Sequence, residues 1–81
     1  MITQEQYQWY LDQGAKFLLS ENCCQINRDA AIRKGIEPKA GLTIFSCLGG
    51  CLVVLDGQEG LLTEEEQALL VDELPEEFIS D

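Results

Sequence analysis

The sequence lacks histidine, and its second half lacks lysine and arginine. Histidine is the commonest acid–base group near neutral pH and a frequent metal ligand, so its absence removes the simplest route to several kinds of active site. All five basic residues lie before position 40, whereas ten of the fifteen carboxylates lie after it. Residues 40–81 therefore carry the whole net charge of −10. Direct binding to nucleic acid is disfavoured, because phosphate contacts require cations.

Export and membrane signals are also missing from the sequence. The first residues, MITQEQYQWYLDQ, contain neither a basic nor an apolar stretch, so no signal peptide is predicted. The uncharged run 40–55 has 16 residues and a Gly-Gly pair at its centre. A membrane helix needs about 20 apolar residues. We therefore expect a cytoplasmic protein without membrane association, whose four cysteines are free thiols.

Motifs that support catalysis are absent as well. Leu48-Gly49-Gly50 is not followed by lysine, and the pattern GxGxxG does not occur, so no phosphate-binding loop is indicated. A nucleophilic cysteine needs a neighbouring base or cation, and along the chain only Arg28 lies near a cysteine pair. We predict that the protein is not an enzyme and needs no cofactor.

What the sequence does contain is enough apolar material for one small folded domain over residues 1–81. Its hydrophobic content of 46% argues against disorder. The acidic tail 75–81 either docks onto the domain or frays. The predicted fold class is α+β, in the order helix–helix–β-hairpin–helix.

The first predicted helix covers residues 3–20. Thr3 and Gln6 match the capping box that satisfies free backbone N–H groups at a helix start. Further apolar residues lie off the main stripe, so a second element or a second chain is expected to cover them. The residues that follow helical spacing are Tyr7, Tyr10, Leu11, Gly14 and Leu18.

Two shorter helices are predicted further along the chain. The second helix covers 27–34, with Asn27 as N-cap and Gly35 in the left-handed position after its end. The third runs from a capping box at Thr63 and Glu66 to about Leu74, where the following proline ends it.

Residues 42–56 favour a β-hairpin. The segment is rich in β-branched residues, and Gly49-Gly50 suits a two-residue turn with positive φ. A helix is the rival interpretation, but two adjacent glycines inside a helix would cost about 2 kcal/mol.

Four cysteines raise the alternative of a metal or redox protein, with Cys23, Cys24, Cys47 and Cys51 as its residues. Four thiolates can close a tetrahedral zinc or iron–sulfur site. The spacing argues against such a site, because zinc sites usually pair Cys-x2-Cys units. In a two-residue hairpin, Cys47 and Cys51 also point to opposite faces. We predict buried thiols and no metal.

A homodimer is predicted because a lone two-stranded ribbon leaves both edges unpaired and the first helix has excess apolar surface. The residues assigned to the dimer interface are Tyr7, Trp9, Tyr10 and Phe17.

The function predicted from the charge distribution is a regulatory or inhibitory protein-interaction module. Its acidic second half would bind a basic protein partner. A related alternative is an inhibitor that mimics nucleic acid to a DNA- or RNA-binding protein. The basic cluster at 28–39 is interpreted as an internal complement to the acidic half. The residues assigned to partner binding are Glu64, Glu65, Glu66, Asp72, Glu73, Glu76 and Glu77.

Overall fold

Over residues 2–80, the chain folds into three α-helices, a three-stranded antiparallel sheet and a small parallel sheet, which confirms the predicted α+β class. The structure is a computed structural model; Met1 and Asp81, the two ends of the predicted domain, lie outside the described residues. Two 3-10 turns cover Glu59–Leu61 and Glu76–Phe78. In chain order the other elements are β1 (Ile2–Thr3), α1 (Gln4–Asp12), β2 (Lys16–Leu19), α2 (Cys23–Arg33), β3 (Ser46–Cys47), β4 (Cys51–Val54), α3 (Glu64–Ala68) and β5 (Ile79–Ser80).

The central strand β4 is buried along its whole length, because both faces of the sheet are covered. β2 and β3 pair antiparallel with its two edges. Residues from α2 cover one face, where Ile26 and Ala30 pack with Leu52. Tyr7 from α1 packs on the other face with Val53. A strand buried on both faces reads as a continuous apolar run rather than an alternating one.

The predicted hairpin is present and is shorter than the interval 42–56. Gly49 and Gly50 have φ of 59° and 92°, and the Leu48 N–H donates to the Cys51 carbonyl at 2.7 Å. Positive φ at both central positions is the geometry of the tight hairpin turn that suits the twist of the strands. Before the turn, the segment that pairs with β4 is Ser46–Cys47.

The prediction of one helix over 3–20 is wrong in its second half. The capping box of Thr3 and Gln6 is present, but α1 ends at Asp12 and Gly14 adopts φ +75°. Residues 16–19 form β2, which pairs with β4 in the register Phe17 with Val53. Alternate residues of β2 reach the two covered faces of the sheet, so Phe17 and Leu18 are both buried.

The second helix begins earlier than predicted. Asn22 occupies the N-cap position of α2, and Asn27 lies one turn inside the helix as a buried residue. The predicted helix end is confirmed, since Gly35 has φ +83°.

The third helix has the predicted start but ends at Ala68 instead of Leu74. The capping box of Thr63 and Glu66 is present. Beyond the helix, Val71 exchanges two backbone hydrogen bonds with Phe17 at 2.8 and 2.9 Å. This pairing with the edge of β2 takes the place of another helical turn. The chain then continues to β5, which pairs parallel with β1.

Candidate interaction surface

Six of the seven carboxylates assigned to partner binding are exposed, and in the part of the chain that is described none of the six forms an ion pair. They come from the first turn of α3, the segment that follows Val71 and the 3-10 turn before β5. At a helix N-terminus, acidic side chains are also stabilised by the helix dipole. We call this set the acidic surface; it consists of Glu64, Glu65, Asp72, Glu73, Glu76 and Glu77.

The seventh carboxylate, Glu66, has a structural role instead. One of its oxygens accepts a hydrogen bond from the Thr63 N–H at 2.8 Å and lies 3.7 Å from the Arg33 guanidinium. Arg33 also donates to the carbonyl of Leu61. The assignment of Glu66 as a free partner-binding residue is therefore corrected. Arg33 thus complements the acidic half, whereas Arg28, Lys34 and Lys39 form no ion pair among the described residues.

A groove lies beside the acidic surface, between α2, the end of β2 and α3. Its volume is about 280 Å³, and Leu18 and Ile26 are its buried apolar lining. Leu19 and Leu69 also line it, with 40% and 64% of their surface accessible. We call this feature the Leu69 groove; its remaining lining residues are Ser20, Asn22, Gln25, Asp29 and Glu66.

Sequence reasoning missed the Leu69 groove because the groove depends on a long-range contact. Leu19 lies two residues after Phe17, and Leu69 lies two residues before Val71. The antiparallel bridge between Phe17 and Val71 therefore brings the end of β2 close to the end of α3, and both leucines line the groove there. No local pattern in the sequence indicates that bridge.

Two of the four residues assigned to a dimer interface lie in the core of a single chain. Phe17 is fully buried, and its ring centroid lies 5.7 Å from that of Tyr7. The Tyr7 hydroxyl accepts a hydrogen bond from the Leu74 N–H at 3.2 Å. The assignment of Tyr7 and Phe17 to an intermolecular surface is corrected. Trp9, 56% exposed, and the neighbouring Tyr10 remain near the surface.

The two buried cysteines lie on opposite faces of the sheet. Cys23 is buried with α2 on one face, where its thiol donates to the Ser20 carbonyl at 3.0 Å, and Cys51 is buried on the other face. Burial, with smaller contributions from the Cys47 thiol, raises the pKa of Cys23 to about 12. Burial raises the pKa of Cys51 to about 11. Both thiols are therefore protonated near neutral pH.

Cys24 and Cys47, the other two cysteines, are exposed, so the prediction of buried thiols is wrong for these two residues. Within residues 2–80, no group of three or more Cys, Asp or Glu side chains is arranged to hold a metal ion. The alternative of a four-cysteine metal centre gains no support from this arrangement.

None of the helices within residues 2–80 has the length and apolar character needed to cross a bilayer.

The chain was compared with protein-family models, curated proteins and solved structures, and none of them matches it. The function is therefore inferred from the surface and the core of this chain alone.

Proposed function

We propose that the protein is a non-enzymatic, cytoplasmic interaction module that binds a basic surface of another protein and thereby regulates or inhibits it. The observation that carries this proposal is the acidic surface, whose six carboxylates are exposed and form no ion pair among the residues described. Glu66 provides the contrast, because it is the carboxylate of this region that the fold does use.

The physical consequence of the acidic surface is a field of one sign over residues 64–77. Such a field speeds the encounter with a basic partner and opposes binding to acidic partners. Exposed charges are screened within about 8–10 Å at ordinary ionic strength, so the association rate should fall steeply with salt. Mimicry of a nucleic acid is a special case of the same proposal, in which the basic partner normally binds DNA or RNA.

Neutralising the acidic surface without changing its shape tests this proposal. One variant carries Asp72→Asn, Glu73→Gln, Glu76→Gln and Glu77→Gln, four exposed positions away from any capping box. The matched control carries Glu5→Gln, Asp12→Asn, Glu21→Gln and Glu37→Gln, four exposed carboxylates of the first half. Each variant raises the net charge from −10 by four, so the two variants are matched in net charge.

The wild-type chain and both variants serve as baits in affinity capture from the source cells, with quantitative mass spectrometry. We expect the wild type and the control to enrich the same basic proteins, and the 72–77 variant to lose them. Enrichment of the same proteins by all three baits would contradict a binding role for the acidic surface. A purified partner then allows association rates to be measured as a function of salt.

A further inference from the structure

The Leu69 groove combines apolar walls with carboxylates and lies beside the acidic surface. We infer that it receives one large apolar side chain of the partner, from a segment that also carries lysine or arginine. This inference rests on the proposed function and names the part of the partner that is recognised.

The apolar part of the argument concerns the exposure of two leucines. Leu69, the C-cap residue of α3, is 64% exposed, and Leu19 at the end of β2 is 40% exposed. Both leucines line the groove, and Leu18 and Ile26 are its buried apolar lining. Covering the exposed part of the two leucines with another apolar side chain would remove apolar surface from water, which favours association.

The size of the groove determines what fits. Its volume of about 280 Å³ lies just below the range of about 300–1,000 Å³ that small-molecule sites occupy. This is room for one large side chain and not for a whole helix. A short segment with a single apolar anchor therefore fits better than a long amphipathic helix.

The charge of the lining selects the kind of segment. Two carboxylates line the groove: Glu66 lies 3.7 Å from the Arg33 guanidinium, whereas Asp29 forms no ion pair among the described residues. A cation next to the anchor of the partner would face Asp29 and the exposed Glu64 and Glu65 in the adjacent first turn of α3.

A second copy of the same chain is a poorer occupant. Its most exposed aromatic residue, Trp9, lies in a hollow lined by Glu5 and Asp12. Inserting Trp9 into the groove would bring acidic residues of one copy toward those of the other, which costs free energy. The partner is therefore expected to be a different, basic protein.

Two fluorescein-labelled, lysine-rich peptides test the inference; one has a central Phe and the other has Ala at that position. Each is titrated with the full chain at low salt, and fluorescence anisotropy gives the dissociation constant. We expect the Phe peptide to bind about tenfold more tightly, because an aromatic side chain is partly buried. Addition of the Phe peptide should also shift the amide resonances of Leu18, Ile26 and Leu69 in NMR spectra of the wild-type chain.

Leu69→Ala should abolish the preference for Phe and leave the affinity for the Ala peptide unchanged. The matched control is Ile32→Ala, which truncates an equally exposed side chain, 62% accessible, outside the groove. This control should keep the tenfold preference.

The possible outcomes separate the inference from the proposed function. Equal affinity for the two peptides would show that the groove is not used, while the acidic surface would still be a binding surface. Absence of binding by either peptide at low salt would contradict the proposed function and the inference together. Light scattering that shows a dimer of the wild type and a monomer of Leu69→Ala would mean that a second copy fills the groove, and the inference would be wrong.

Discussion

At the scale of single residues, Asn27 makes the most informative contacts in the molecule. Its side-chain oxygen accepts hydrogen bonds from the N–H groups of Ile44 and Phe45, at 3.1 and 2.7 Å. Its side-chain nitrogen donates to the Cys23 carbonyl at 3.1 Å. Asn27 thus joins α2 to the segment that leads into the hairpin. Asparagine is a frequent N-cap residue, which is why the sequence pattern predicted a helix start at this position.

Replacing Asn27 with alanine should lower the free energy of unfolding by about 2–3 kcal/mol, because two backbone N–H groups would lose their partner in or near the core. Urea denaturation followed by circular dichroism measures this change. Asn22→Ala is the matched control, since Asn22 is exposed and its side chain makes no capping hydrogen bond. An equal loss of stability in both variants would show that the contacts of Asn27 are unimportant.

The four thiols should react with iodoacetamide in two distinct groups. At pH 8 the exposed Cys24 and Cys47 should be modified first, whereas the buried Cys23 and Cys51 should react only after unfolding in urea. The thiolate is the reacting form, and the raised pKa values of about 12 for Cys23 and about 11 for Cys51 leave little thiolate at this pH. Peptide mapping by mass spectrometry identifies the modified residues. Early labelling of Cys23 or Cys51 would contradict their burial.

The same two thiols predict a decrease in stability at alkaline pH. Their folded-state pKa values lie above the value of 9.0 for an unperturbed thiol, so the unfolded chain releases protons first. The stabilising contribution is complete below pH 9 and is lost as the pH rises toward 11–12. Urea denaturation should give a lower free energy of unfolding at pH 10 than at pH 8. The difference between the two pH values should be smaller in Cys51→Ser than in the wild type. An equal loss in that variant would show that Cys51 does not contribute.

At the scale of elements, the structures that the sequence predicted correctly have local signals. The two capping boxes at Thr3 and Thr63 and the Gly49-Gly50 turn each depend on residues a few positions apart. The errors concern segments whose conformation is decided by distant residues. Residues 16–19 continue a helical apolar spacing, yet pairing with β4 makes them a strand. Residues 69–74 likewise leave the helical path because Val71 pairs with Phe17.

Gly50→Ala should destabilise the fold by about 1–2 kcal/mol, since φ of +92° is unfavourable for a residue with a Cβ atom. Within residues 2–80, no neighbouring atom lies within 4 Å of a Cβ added at Gly50, so the backbone conformation accounts for the effect. Gly60→Ala is the matched control, because its surroundings are equally open and its φ is not positive. Thermal denaturation of both variants compares them. A control as destabilised as Gly50→Ala would rule out the explanation based on φ.

At the scale of the whole molecule, the three-stranded sheet, whose two faces are covered, weakens both reasons for predicting a homodimer. The hairpin is not a lone ribbon, because β2 pairs with one edge of β4. Two residues assigned to a dimer interface, Tyr7 and Phe17, lie in the core instead.

The negative charge of the candidate site was predictable from the sequence, because charge is a property of composition. The Leu69 groove was not predictable, since it exists only where α2, β2 and α3 meet.

The homodimer remains a prediction, with Trp9 as its principal contact. Light scattering at micromolar concentration should give twice the chain mass of 9.1 kDa, and Trp9→Gln should shift the mass toward that of one chain. Ile32→Gln, a change at a similarly exposed apolar position, should leave the dimer intact. A mass of 9.1 kDa for the wild-type chain at this concentration would show that the prediction is wrong.

The parallel pairing of β1 with β5 has a consequence for the order of events in folding. It joins Ile2 to Ile79, whereas the hairpin closes a turn of two glycines. The entropic cost of closing a loop grows with its length, and contacts between distant segments form slowly. We therefore expect the hairpin to form early and the pairing of β1 with β5 to form late, after the three-stranded sheet has brought the two segments together. Ile2, which is buried in the finished structure, would then be among the last side chains to leave water.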